Sequence, residues 1–151
     1  MKIAIGSDEH THLTDALLED LRRRGHEVLP FGPLAVDDPD VDWPLVSASV
    51  ARAVATGQAD EGVVCCWTGT GAALAANKVR GIRAALCHDA ETAHVARTWN
   101  HANVLALSLR ATSEAIAKEI LDAWFATPYS DDEWNRQQIA RIEQLEARAL
   151  G

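Results

Sequence analysis

No apolar run in this chain approaches the length needed to cross a bilayer, so a membrane-spanning helix is not expected. Basic charge is scarce: 14 Lys and Arg stand against 22 Asp and Glu, for a formal net charge of −8 at pH 7. Nucleic acids and anionic membranes are bound by a basic face, so both are excluded as general partners. A small anionic ligand is not excluded, because the charge in one pocket need not follow the whole-protein sum. Cysteine is sparse as well. There are three, Cys65, Cys66 and Cys87, an odd number with two adjacent. That is no secreted disulfide framework. Nor is it a zinc pattern, whose paired ligands usually stand two or more residues apart, so no metal is expected. The opening MKIAIGSDEH lacks the apolar stretch and cleavage site of a signal peptide. A reducing cytoplasm is the expected setting. Internal repeats, low-complexity tracts and dividing linkers are missing too. The 151 residues, 48% of them apolar, are therefore expected to form one domain over 1–151.

What is present is alternation. Lys2 to Gly6 reads as a strand, and Leu13, Ala16, Leu17 and Leu21 recur at helical spacing before Gly25. His26 to Phe31 is a second strand, and an acidic loop leads to Asp42, which can cap a helix with Pro44 in its first turn. Glu61 to Cys66, Arg83 to Cys87 and Asn103 to Ser108 read as three more strands. Helices are expected over about 70–78, from Asp89 to about Trp99, over 112–125 and over about 131–149. Strands alternating with helices imply a parallel sheet covered on both faces. The expectation is an α/β fold: a Rossmann-like, open, doubly wound five-stranded sheet in three α/β/α layers. Such sheets bind ligands at the carboxyl ends of their strands. Asp8, Cys66, Cys87 and Ser108 all fall there and can share one rim.

Within that rim, Thr68-Gly69-Thr70-Gly71 separates a strand from a helix. Such a turn carries glycine for steric reasons alone, or it aims free N–H groups at an anion. The spacing fits neither a Walker A loop nor a dinucleotide fingerprint. Cys66 ends the strand beside this turn. A lone Cys is a small hydrophobe, but one next to a helix N-terminus is favoured as thiolate. A thiolate beside an oxyanion cradle suits proton abstraction next to a carbonyl. Cys65 points to the opposite face by strand alternation and reads as core. Asp8 either caps the first helix or binds hydroxyls. His10, His12 and His101 read as loop residues, and a His10–His12 metal site lacks further ligands. Trp67 and Trp99 lie beside suspected site residues and can wall a pocket.

Several stretches together resemble the type B ribose-5-phosphate isomerase family, which includes the galactose-6-phosphate isomerase subunits. They are Gly6-Ser7-Asp8, Asp42-Trp43-Pro44, Cys66-Trp67-Thr68-Gly69-Thr70-Gly71 and Ala75-Ala76-Asn77-Lys78. Gly81-Ile82-Arg83-Ala84, Trp99-Asn100, Asn103 to Ala106 and Arg110 complete the set. The resemblance implies metal-free, cofactor-free aldose–ketose isomerisation of a phosphorylated sugar. It also implies a homodimer, in some members a tetramer, with active sites at the subunit interface and the C-terminal helix in the contact. Cys66 would be the base and Thr68 would assist it. The amides of Trp67 through Gly71 would hold the enediolate. Asn100 would bond the reacting oxygens, and Asp8 the hydroxyls.

The chain also departs from the family pattern. Trp67 replaces a usual Gly, and Glu9 replaces a usual His, with His10 one position later. Trp99 stands where many members have a ring-opening His, so either His101 or His10 stands in or the substrate is acyclic. The family's phosphate-gripping arginines become Trp134 and Gln138, with Arg136 and Arg141 nearby. These departures cluster on recognition, so the substrate is expected to be ribose 5-phosphate or a four- to six-carbon analogue. Two other functions compete: a noncatalytic sugar- or nucleotide-binding module, and a thiol redox protein using Cys65 and Cys66. Adjacent strand residues point apart, which disfavours a disulfide between them.

Overall fold

The computed structural model describes residues 1–149. Its strands are β1 (Lys2–Ser7), β2 (Glu27–Phe31), β3 (Glu61–Cys66), β4 (Ala84–Leu86) and β5 (Val104–Ser108). All pair in parallel, in the order β2-β1-β3-β5-β4. Between and after them run α1 (His12–Arg23), α2 (Trp43–Ala55), α3 (Thr70–Ala76), α4 (Ala90–Asn100), α5 (Glu114–Ala126) and α6 (Glu133–Ala149). This is the expected three-layer, doubly wound sheet.

Strand alternation builds the layers. Val63 and Cys65 join Leu17, Leu21, Ile120 and Trp124 in a core beneath α1, α4 and α5. Val64 and Cys66 join Val50, Ala72 and Ala76 beneath α2 and α3. The helix placement follows from right-handed crossovers. The connections through α2 and α3 both step across the sheet from the β2 edge toward β4, and they share one face. Those through α1 and α4 step the opposite way and share the other.

Side chains set the ends of the elements. Thr11 and Thr14 form a reciprocal capping box on α1, and Asp89 and Ser113 cap α4 and α5. Asp42 sits at the cap position of α2, but its side chain makes no capping bond; Pro44 in the first turn leaves one fewer amide to satisfy. α3 ends at Ala76, two residues short of expectation, because the Asn77 amide turns to the edge of β4. It donates to the Ala84 carbonyl at 2.9 Å and accepts from the Ala84 N–H at 2.8 Å. β4 is shorter than expected, because the Arg83 N–H is taken by the Asn103 side chain at 2.8 Å rather than by a neighbouring strand. A short 3-10 turn at Gly32–Leu34 was not foreseen; the Asp38 carboxylate accepts from the Gly32 N–H at 2.7 Å and holds it.

α6 is bound to the rest of the chain at a few points. Asn135 is its one buried residue among those described. The Glu146 carboxylate accepts from the Gly81 N–H at 3.1 Å. Trp134, Ile142 and Leu145 are exposed. No helix among the described residues is long and apolar enough to cross a membrane.

Candidate active site

β3 delivers Cys66 to the carboxyl rim, in register with Ser108 of β5. The Cys66 carbonyl accepts from the Leu109 N–H at 2.9 Å, and the Trp67 carbonyl from the Arg110 N–H at 3.1 Å. The Ser108 hydroxyl donates to the same Trp67 carbonyl at 3.0 Å. The turn is thus tied down through its carbonyls. Among the described residues, the amides of Thr68, Gly69, Thr70 and Gly71 donate to no protein acceptor. The first amides of a helix have no intrahelical partner, so a row of unpaired ones beside a thiol can serve as an anion cradle. Gly69 makes the bend with φ of 77°, and a Cβ there would lie 2.5 Å from Leu86 Cδ1 and 2.9 Å from the Leu107 carbonyl carbon. At Gly71 a Cβ would lie 3.0 Å from Trp43 Cε3, so the first residue of α2 is laid over the turn. The Thr68 and Thr70 hydroxyls bond one another at 2.7 Å at the exposed mouth, and Trp67 is exposed beside them.

The three thiols differ. Cys66 keeps 6% of its surface open, against 1% each for Cys65 and Cys87. It belongs to the buried cluster with Ala72 and Ala76, so it is more enclosed than a rim position implies. Burial pushes both the Cys65 and the Cys87 thiol up to about 12. All three are free.

Asp8 follows β1 on the same rim. Its Oδ1 is buried with no hydrogen-bond partner, and burial, aided by the neighbouring Glu9 charge, raises its pKa above the usual carboxylate value. An orphan acceptor in this position fits the hydroxyl-binding role expected of Asp8. Glu9 is exposed, its N–H bonded to the Ser7 hydroxyl at 3.2 Å. The His10 ring bonds Asp15 of α1 at 2.6 Å. Arg110 is exposed and lines a hollow of about 460 Å³ with Thr68, Cys87, His88 and Ser108. Its guanidinium has no ion-pair or hydrogen-bond partner among the described residues.

Asn100 and His101 lie elsewhere in the chain. α4 runs back from the carboxyl rim, and the loop after it sits at the amino ends of the strands. There the Asn103 carbonyl accepts from the Gly62 N–H at 3.0 Å. A strand rises about 3.3 Å per residue, so roughly 17 Å of sheet separates that edge from Cys66. Asn100 is exposed and shares a pocket of about 330 Å³ with Trp99, Trp134, Asn135 and Gln138. His101, left-handed at φ of 48°, is fixed in place: its Nε2 bonds the Ser130 carbonyl at 2.9 Å, and its ring stacks on Tyr129 at 4.5 Å. Arg136 pairs with Glu133 at 3.0 Å, and Arg141 donates to Gln138 at 2.8 Å.

Sequence reasoning missed a buried charge cluster beneath Asn100. Arg97 pairs with Glu61 at 2.8 Å, donates to the Ala102 carbonyl at 2.7 Å, and lies between the Trp124 and Tyr129 rings. The Trp124 indole N–H also donates to Glu61, at 2.6 Å. An Arg at the apolar spacing of Ala93 and Ala96 was the available signal.

Fold and rim together define a small-ligand-binding α/β protein with a thiol beside an amide-lined turn. More narrowly, the chain belongs to the ribose/galactose isomerase family, which matches residues 3–145. It is 36% identical to ribose-5-phosphate isomerase B of Escherichia coli over 97% of each chain. It is 37% identical to D-erythrulose-4-phosphate isomerase of Pectobacterium atrosepticum over 82% of each. The solved structure of ribose-5-phosphate isomerase B from Clostridium thermocellum covers 99% of both chains, with a TM-score of 0.90 and 37% identity.

Proposed function

We propose that this protein is an aldose–ketose isomerase of a phosphorylated sugar with Cys66 as its base. The observation that carries the reading is the pairing of a rim thiol with the unpaired amides of Thr68 through Gly71. Family membership and relatives named for ribose 5-phosphate and erythrulose 4-phosphate support it. The Cys66 thiolate takes the proton from the carbon beside the carbonyl. The C–H electron pair forms the new C–C double bond, and the carbonyl pair moves to oxygen. The turn amides hold that oxyanion. The thiol returns its proton to the former carbonyl carbon, while the neighbouring hydroxyl gives its proton to the oxyanion and becomes the new carbonyl. Asp8 holds substrate hydroxyls, and Thr68 orients the thiol. Trp67 and Glu9 wall the mouth, and Arg110 binds the phosphate.

Asn100 reaches this chemistry from a second copy. Its distance from Cys66 within one chain and the exposed stripe of α6 both support a homodimer, with a tetramer as its dimerised form. His101, Arg136 and Arg141 come to the site by the same route. Three free, buried cysteines suit a reducing cytoplasm.

The test is turnover in deuterated water with D-ribose 5-phosphate and D-erythrulose 4-phosphate. Deuterium should enter at the carbon beside the carbonyl and be lost in Cys66→Ala and Cys66→Ser. Binding of both compounds without exchange in the unaltered protein would instead make it a sugar-phosphate-binding module.

A further inference from the structure

Arg97 turns inward from the last turn of α4, with 9% of its surface exposed. Its Nη2 donates to Glu61 Oε1 at 2.8 Å, and the Trp124 indole N–H takes the other carboxylate oxygen at 2.6 Å. Its Nη1 donates to the Ala102 carbonyl at 2.7 Å and to the Tyr129 hydroxyl at 3.0 Å. That hydroxyl donates in turn to the same carbonyl, at 3.2 Å. The Ala102 carbonyl, two residues beyond Asn100, therefore accepts from two donors that also bond each other. The carbonyl before it, of His101, accepts from Arg83 Nε at 2.8 Å.

These bonds hold a conformation that the chain would not keep unaided. His101 is left-handed at φ of 48°, which a non-glycine residue keeps only where its surroundings impose it. Its ring stacks on Tyr129, and a guanidinium grips its carbonyl and the next. Asn100, directly before this turn, is exposed, and its side chain has no partner among the described residues. Stability alone explains the cluster poorly. A buried ion pair recovers little beyond its own desolvation, and packed apolar residues are often as stable. A planar guanidinium with its donors in a rigid fork supplies geometry instead.

We propose that Arg97, anchored by Glu61 and Tyr129, is a positioning residue: it fixes the His101–Ala102 turn and with it the direction of the free Asn100 amide in the shared site. This deepens the isomerase reading and rests on its assignment of Asn100 to a second copy's site. Arg97 acts through Asn100. Misdirecting a group that bonds the reacting oxygens lowers kcat more than it raises KM.

The test uses the whole protein with D-ribose 5-phosphate and D-erythrulose 4-phosphate. Tyr129→Phe removes one hydroxyl and leaves the ring on His101. Glu61→Gln keeps the shape and removes the charge that anchors Arg97. Each should lower kcat about tenfold and change KM less than about twofold. In an Asn100→Ala background the same substitutions should cost less than about twofold, because the group they direct is gone. A second readout needs no turnover. The His101 and Ala102 amides both donate to the Ala96 carbonyl, and in both variants they should exchange with solvent about tenfold faster while the amides of β1 keep their rates. The proposal is overturned if neither substitution lowers kcat, if the loss appears in KM, if it persists without Asn100, or if the turn amides exchange no faster. The isomerase reading fails separately: faster exchange at the turn, with neither sugar phosphate turned over by the unaltered protein, would leave Arg97 fixing the turn and remove the reaction.

Discussion

Cys66 and Ser108 are register partners at the carboxyl ends of β3 and β5, and the Ser108 hydroxyl fixes the residue that follows Cys66. It donates to the Trp67 carbonyl at 3.0 Å and accepts from the Ala111 N–H at 3.1 Å. One side chain therefore joins the glycine turn to the loop that bears Arg110. Ser108→Ala removes both bonds while the Arg110 amide still holds Trp67. Thermal melting should show a loss of about 1–2 kcal/mol. The kcat should fall further than that loss explains, because the amides of the turn would no longer be held in one position.

The thiols should be separable by reagent. Cys65 and Cys87 are shut in the core, and burial pushes each to about 12, so neither offers thiolate at neutral pH. Cys66 keeps 6% of its surface open, against 1% for each of the others. A small alkylating reagent should modify the native protein once, at Cys66, with activity lost in step. Inorganic phosphate or substrate should slow the modification. Peptide mapping checks the position. Labelling of Cys65 or Cys87 at a similar rate would show that the thiol's setting at the turn gives it no special access.

α6 sets the third expectation. Ile142 and Leu145 are three residues apart on one face, 43% and 60% exposed, and Trp134 extends the stripe. Ile139, half-buried, is the part the chain itself covers. Ile142→Asp combined with Leu145→Asp adds charge where a second copy would pack. Light scattering should report a monomer, with melting temperature nearly unchanged at low concentration and isomerase activity lost. A dimer that persists and turns over would place the contact elsewhere.

The fold was legible because each strand is an apolar run, and β1 to β4 are each followed within three residues by a glycine or an acid. Cys66, Gly69 and Asp8 were legible as rim residues for the same reason, since strand ends locate the rim. The partition within the site was not. Asn100 ends a helix that runs against the strands, and only the path of that helix shows that it finishes at the far edge. Arg97 reads as a polar residue on an amphipathic helix; its burial depends on Glu61, Trp124 and Tyr129, which lie 36, 27 and 32 residues away in the chain. The roles of Asn77 and Asn103 were also hidden. Each belongs to a stretch that signals the family, yet their amides close the backbone around β4 rather than face a ligand.

Asp8 gives a stability prediction with a definite sign. Burial raises its pKa above 3.8, and its Oδ1 has no partner. The folded protein therefore holds this proton more tightly than the unfolded chain does. As pH rises, the unfolded chain releases it first, and stability falls across the window from the ordinary carboxylate value up to the raised one. Above that window the full cost of an ionised, poorly solvated carboxylate remains. Asp8→Asn removes the charge and keeps the shape. Its melting temperature should exceed that of the unaltered protein at pH 7, and the gap should close below about pH 4, where both side chains are neutral. KM for the sugar phosphate should rise in the same variant, because an amide replaces an acceptor left open for hydroxyls. A variant no more stable at neutral pH would mean that the carboxylate is already satisfied in solution, and Asp8 would lose its standing as the open acceptor of the site.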